Sequence, residues 1–337
     1  MRIILDAMGS DDYPHPEVQA AVQAAEIFGD EITLVGKQEM LEPLLAEINH
    51  KNAPVKIVHA AEVLEMDDKP STSARRKAEN SMAVCMELLK SGQGDAMVTA
   101  GNTGGAMANG LFRLGRIRGV KRPVLCAVLP VSGGHCMLLD IGANAECKPE
   151  YLVQFALMGS AYAERILGVT HPRIGLLSNG EEAGKGNDLV KETYPLLEES
   201  GLNFIGNVEG KELFGGEADV VVTDGFTGNV VVKVSEAIAK LIVTRLRDSL
   251  MSSTRTKLGG LLAKPAFADL RKDLDPAEVG AAPLLGIDGL VLIGHGRSDA
   301  RALVSAIRQA RQAVETGLLE AMRKMIAERL AASKETA

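Results

Sequence analysis

Tryptophan is absent from the 337-residue chain, and seven Phe with four Tyr are all of its aromatic residues. The core must therefore be built from Val, Leu, Ile, Met and Ala, and platforms on which nucleic-acid bases could stack are scarce. Positive charge is also in short supply. The 37 Lys and Arg stand against 44 Asp and Glu, a formal net charge of −7, which argues against a generally basic nucleic-acid binder while allowing local basic patches. The four cysteines, Cys85, Cys126, Cys136 and Cys147, match neither a redox pair nor a zinc framework and read as reduced, mostly buried thiols. Six dispersed histidines without HExxH spacing give no compact soft-ligand set, so no metal is expected. No apolar run of about 18 residues occurs; that argues against a spanning helix but not against attachment to a membrane surface. The opening MRIILDAMGSDD, an apolar run followed by acidic residues, reads as a mature cytosolic N-terminus rather than a signal peptide.

What is present is a chain that can bury a core, with 46% hydrophobic and 24% charged residues. Ten β-favouring runs lie near 3–8, 31–36, 55–60, 96–101, 124–131, 136–143, 173–178, 202–208, 219–224 and 290–294. Many are apolar at consecutive positions, which favours a sheet covered on both faces. Helix-compatible stretches at 16–28, 73–91, 149–167, 187–200 and 228–250 separate most of them, and a long one at 299–332 has Gly317 as its break. The order predicts an α/β fold with a mixed, largely parallel sheet. Ser132-Gly133-Gly134-His135 is short enough to join antiparallel neighbours. We expect a single integrated α/β unit over 1–337, with a smaller subdomain contributed by about 120–225 and an amphipathic helical element at 252–275.

Candidate chemistry sits where strands end. Asp6, in Asp6-Ala7-Met8-Gly9-Ser10-Asp11-Asp12, can orient a substrate in a cleft or satisfy the amides of an Asp-rich turn. Gly101, Asn102, Thr103 and Gly104 form a loop that either receives phosphate on exposed amides or caps the next helix; it supplies neither GxGxxG nor the lysine of a P-loop. Lys185, in the Gly-rich run 178–187, offers an ammonium for phosphate or for developing negative charge, unless it merely keeps the turn soluble. Thr227 and Asn229 in TDGFTGNV offer hydrogen bonds at a strand-to-helix junction. His295 in GHGRSD is a proton relay or phosphate donor on one reading and a structural histidine on the other. No G-x-S-x-G elbow or activated cysteine points to a covalent nucleophile.

Taken together, DAMGSDD at 6–12, AGNTGGAM at 100–107, LLDIGAN at 138–144, TDGFTGNV at 223–230 and HGRSD at 295–299 resemble the PlsX family of bacterial phosphate acyltransferases over nearly the whole chain. The first motif departs from the family pattern, with Ser10 in place of a second Gly and Asp12 in place of His. The resemblance implies a fold of the isopropylmalate-dehydrogenase-like and phosphotransacetylase-like group. It also implies conversion of a long-chain acyl-acyl-carrier protein and inorganic phosphate to acyl phosphate and free carrier protein, for phospholipid synthesis, without a cofactor. Lys185 and Asn229 fall where the family's implicated lysine and asparagine stand. A homodimer is implied, working in the cytoplasm at the inner face of the cell membrane, where a glycerol-phosphate acyltransferase would take the product. A short-chain enzyme acting on a coenzyme-linked donor, a noncatalytic scaffold and a dehydrogenase are the competing readings; the last lacks a dinucleotide fingerprint.

Two surface patches fit those partners. Arg113, Arg116, Arg118, Lys121 and Arg122, with no acidic residue among them, can steer an acidic carrier protein or serve as a connector or dimer surface. Arg255, Lys257, Lys264, Arg271 and Lys272 outnumber Asp269 in a stretch carrying Leu258, Leu261, Leu262, Phe267 and Leu270, a pattern suited to anionic lipid or to a buried dimer hairpin.

Overall fold

The computed structural model describes residues 1–48, 53–265 and 280–335. Eleven strands form one sheet: β1 (Arg2–Asp6), β2 (Glu31–Gly36), β3 (Val55–His59), β4 (Ala96–Thr99), β5 (Val124–Val131), β6 (Gly134–Leu139), β7 (Ile174–Leu177), β8 (Phe204–Val208), β9 (Val220–Val222), β10 (Ala282–Leu285) and β11 (Val291–Ile293). Their order is β3-β2-β1-β4-β11-β10-β5-β6-β9-β7-β8. Helices α1 (His15–Phe28), α2 (Gln38–Glu47), α3 (Pro70–Arg76), α4 (Ser81–Lys90), α5 (Thr103–Asn109), α6 (Pro149–Arg165), α7 (Asp188–Glu198), α8 (Gly210–Gly215), α9 (Gly225–Met251), α10 (Thr254–Leu262), α11 (Ala300–Glu315) and α12 (Leu318–Glu335) complete the described elements, with a π-helical turn at Gly110–Leu114.

All ten expected strands form, and 124–131 pairs antiparallel with β6 as the short connection requires. An eleventh, β10, went unread because Pro283 in its four residues argues against a strand; its antiparallel pairing with β11 and β5 accommodates the proline. The expected helix at 73–91 is two helices, because the Asn80 side chain accepts from Ala83 N and starts a new one. Gly317, with φ +65°, breaks the C-terminal helix as expected. Of the element at 252–275, α10 is described, packed on α9 with Gly260 against Leu250. Phe267, Asp269, Leu270, Arg271 and Lys272 lie outside the described residues, as does His50.

Strand alternation divides the core. Ile3 and Leu5, Ala96 and Val98, Met137 and Leu139, and Val220 and Val222 face one continuous core with α1, α6, α11 and α12. On the other face, Ile4 and Met97 join a cluster with α4 and Ala106 of α5, while Cys136, Leu138 and Val221 join a separate one with Leu213 of α8. The two clusters meet on β5, where Leu125 belongs to the first and Leu129 to the second, and Ile141 packs against both. One face is thus a single core and the other carries two clusters bridged by Ile141. The parallel set β3-β2-β1-β4-β11 also runs opposite to β6-β9-β7-β8, since three antiparallel pairings intervene.

The inward face of α1 carries an acid. Glu17 is fully buried, accepts the Ser10 amide at 2.9 Å, and has its pKa pushed up by burial to about 7 from 4.5. Between those values the folded protein holds a proton that the unfolded chain has released. This stabilisation is complete below the unfolded pKa and is lost as pH rises through the folded one, about 3 kcal/mol in all. Unfolding free energies from urea titrations at about pH 5 and about pH 8 should therefore fall less in Glu17→Gln than in the wild type, by about that amount. Identical pH dependence of the two proteins would refute the buried neutral acid.

Candidate active site

Two loop groups gather where the strands of the two halves end. The first gathers the ends of β1, β4 and β11. Asp6 is fully buried and accepts the Thr99 hydroxyl at 2.7 Å and the Met8 amide at 3.2 Å. Thr99 Oγ1 in turn accepts the Gly101 amide at 3.0 Å. Gly9 lies directly on the second loop: a Cβ there would stand 2.7 Å from Gly101 N, so any larger residue would push the loops apart. The Asp11 amide donates to Gly296 O at 2.6 Å and the Gly294 amide to Thr99 O at 2.7 Å, which ties the third loop to the other two. The structure therefore brings Asp6, Gly101, Asn102, Thr103, Gly104 and His295 into one group.

Within that group the side chains divide by availability. Asn102 is engaged at both ends, its Oδ1 accepting Gly105 N at 2.9 Å as the cap of α5 and its Nδ2 donating to Met66 O at 2.9 Å. Its side chain serves the loop's own architecture. Thr103 is exposed at the first position of α5, and His295 is exposed on its loop. Desolvation lowers the His295 pKa, with Glu236 opposing it and Arg297 and Lys233 reinforcing it. At neutral pH the ring is then mainly neutral, able to donate from one nitrogen and accept at the other.

The second group gathers the ends of β6, β7 and β9, on the opposite edge of the sheet. Asp140 is buried and accepts the Gly142, Ala143 and Asn144 amides at 3.0, 2.9 and 2.7 Å and the Asn144 Nδ2 at 2.8 Å. Asn229 Nδ2 reaches across to Ile141 O at 2.9 Å. It can do so because Gly142, at φ +140°, has no side chain: a Cβ would lie 2.9 Å from that nitrogen. Asp224 caps α9 by accepting Thr227 N at 2.9 Å, and it also accepts the Thr227 hydroxyl at 2.7 Å. Thr227 is thus left with its oxygen as an acceptor, while exposed Asn229 retains Oδ1 and one N–H.

Lys185 extends the same edge from the loop after β7. Its amide donates to Glu182 O at 2.9 Å, and Asn187 ends the loop by capping α7 at Val190 N, 3.0 Å. The side chain is exposed, lies over Gly180, and has no ion-pair partner among the described residues. The neighbouring carboxylates have a different partner: Lys211 pairs with Glu212 at 3.1 Å and Glu209 at 3.7 Å and also with Glu181 at 2.5 Å. These acids can approach within ligand distance of one another, but they enclose an ammonium already. The four cysteines are unpaired, and burial pushes the Cys136 and Cys147 thiols up to about 12, which disfavours a thiolate nucleophile.

α9 joins the groups. It starts at the second group and runs for 27 residues, about 40 Å at helical rise, bringing Lys233 and Glu236 within electrostatic reach of His295 in the first. The second group can hold an anion against backbone amides and a lysine, and the first presents a neutral imidazole within electrostatic reach of α9. Sequence reasoning missed Thr99, Glu17 and Asp140. Asp140 had a signal, since LLDIGAN was among the matching motifs; Glu17 and Thr99 had none, lying in a helix and a strand without special spacing.

The family model described as a fatty acid synthesis protein matches residues 1–321. A phosphate acyltransferase from Pelotomaculum thermopropionicum is 47% identical over 328 residues, covering 97% of this chain and 95% of the relative. Among solved structures, a branched-chain phosphotransacylase from Enterococcus faecalis aligns with TM-score 0.60 at 15% identity, over 93% of this chain and 99% of that one. A 4-hydroxythreonine-4-phosphate dehydrogenase from Burkholderia phymatum aligns with TM-score 0.50 at 16% identity, over 92% and 97%. Those two likenesses speak for the fold, a mixed α/β architecture of the phosphotransacetylase-like and dehydrogenase-like group. The near-full-length match at almost half identity speaks for more: the chain belongs to the PlsX family of phosphate acyltransferases.

Proposed function

We propose that this enzyme moves a long-chain acyl group from acyl-carrier protein to inorganic phosphate, giving acyl phosphate and free carrier protein for phospholipid synthesis. Family membership over nearly the full length carries the reading. A phosphate oxygen attacks the thioester carbonyl carbon, the C–O bond forms, and a tetrahedral oxyanion collapses with cleavage of C–S. The departing thiolate takes a proton and leaves as the carrier thiol. The unpaired Lys185 ammonium attracts phosphate and stabilises the oxyanion, and the free functions of Asn229 orient the nucleophile. Asp6 holds the first loop group from below, and the neutral His295 ring serves phosphate or the departing sulfur.

The carrier and membrane readings have geometric support. Arg116, Arg118, Lys121 and Arg122 are exposed, while Arg113 is tied to Glu87 at 3.2 Å, so four of the five basic residues face solvent. On α9, Val230, Val234, Ile238, Ile242 and Leu246 are exposed at four-residue spacing, an apolar stripe suited to a second copy of the chain. Leu261 and Leu262 of α10 are 65% and 77% exposed beside Arg255 and Lys257, a composition suited to an anionic bilayer. Among the described residues no helix is long and apolar enough to cross a membrane. In this reading the dimer works in the cytoplasm at the inner membrane face, where a glycerol-phosphate acyltransferase receives the product.

Purified enzyme with long-chain acyl-carrier protein and phosphate should form acyl phosphate faster than with short-chain acyl-coenzyme A; the reverse preference would favour the small-donor reading. Lys185→Ala should lower the rate about 100-fold or more at unchanged folded yield, and Asn229→Ala should raise the phosphate KM about tenfold. Unchanged kinetics in either would remove that residue from the mechanism. Reversing charge at Arg116 and Arg118 together should raise the KM for the carrier substrate several-fold and leave the phosphate KM alone; equal effects on both would remove the docking role. Changing Leu261 and Leu262 to Asp should abolish co-sedimentation with anionic vesicles while light scattering still gives a dimer. Continued vesicle binding would reject the membrane role, and a monomeric wild type would reject the dimer.

A further inference from the structure

The first loop group rests on a buried pair that the acyl-transfer reading does not use. Ser10 and Glu17 are 2% and 0% exposed. Glu17 Oε1 accepts the Ser10 amide at 2.9 Å. The remaining polar atom of each side chain, Glu17 Oε2 and Ser10 Oγ, is buried without a hydrogen-bond partner. The two are close enough that the hydroxyl partly offsets the effect of burial on the carboxyl. One proton placed between them satisfies both atoms at once, and leaving them unmatched is costly. Ser10 lies between Gly9, which abuts Gly101, and Asp11, whose amide holds Gly296, so its position sets how all three loops meet.

We propose that Glu17 is a positioning residue of the acyl-transfer site: as a neutral acid it accepts the Ser10 amide with one oxygen, donates to the Ser10 hydroxyl with the other, and so fixes the Gly9–Asp11 turn against the loops that hold phosphate. This rests on the phosphate-transfer reading above. The surroundings favour the neutral form. Of the titratable groups on elements packed around α1, Asp6 of β1 is the charge that acts on Glu17, and it is itself an acid. On α11, Arg311 pairs with Asp30 and Glu315, and Lys56 of β3 pairs with Glu31 of β2. The acidic residues of α2 are exposed and His59 of β3 accepts the Gln38 amide. Burial brings the Glu17 pKa to about 7, so deprotonation near neutrality reverses the hydrogen bond, the Ser10 hydroxyl now donating, and sets a negative charge beneath an anion site.

Glu17→Gln keeps one acceptor and one donor on Ser10 with no titration, whereas Glu17→Ala removes both. With acyl-carrier substrate saturating, the phosphate KM of the wild type divided by that of Glu17→Gln should be near one at about pH 6 and rise about tenfold by about pH 8. The ratio cancels the ionisation of phosphate itself. Glu17→Ala should raise the phosphate KM about tenfold at every pH, with a smaller change in kcat. A ratio that stays flat with pH overturns the proposal, as does a folded Glu17→Ala protein with the wild-type KM. If Glu17→Ala fails to fold, the ratio alone decides. A wild type that forms no acyl phosphate defeats the underlying reading instead, and urea titration still reports the Ser10–Glu17 pair.

Discussion

A buried carboxyl at the end of a strand, gathering hydrogen bonds from the chain that follows it, is the interaction on which both sides of the site depend. Asp6 does this after β1 with Met8 N and Thr99 Oγ1, and Asp140 does it after β6 with three successive amides and Asn144 Nδ2. Burial raises the pKa of each, and the hydrogen bonds hold it down. Each acid is therefore harder to ionise in the folded protein than in the unfolded chain, and the donors of its own loop limit that cost. Each carboxyl gathers several donors of its loop at one buried point, which explains why Gly-rich segments with little apolar content can keep a defined shape.

This arrangement also separates architecture from chemistry among residues that look alike in sequence. Asn102, Asn187, Asp224 and Asp299 each end a strand-to-helix loop and each caps the helix that follows. Their side-chain oxygens are occupied. Lys185, Thr103, Asn229 and His295 sit beside them and remain exposed. The caps set the amides and the free side chains in place, and the latter face solvent.

Much of this was legible from residue order alone. Apolar runs at Ile3–Leu5, Ala96–Val98 and Val220–Val222 mark strands covered on both faces, and the short turn before His135 marks the antiparallel hairpin. Pro283 concealed β10, and with it the antiparallel step that reverses the second half of the sheet. That reversal is a long-range property with no local signal. It explains why the motifs divide between two edges, with α9 spanning them, instead of meeting at one edge. Glu17 was illegible for a related reason: an acid near the start of a helix usually faces solvent and complements the dipole, and only the packing of β1 and the Gly9–Asp11 turn over it makes it a core residue.

The unbroken ladder has a mechanical meaning. β10 and β5 are bonded to their neighbours on both sides, so the two halves of the sheet are joined through hydrogen-bonded strands, and one face of those halves shares a single core. Any movement of one half against the other must be taken up as torsion along the sheet, shared over many ladder bonds, so the molecule is built as a stiff vice rather than as a hinged clamp.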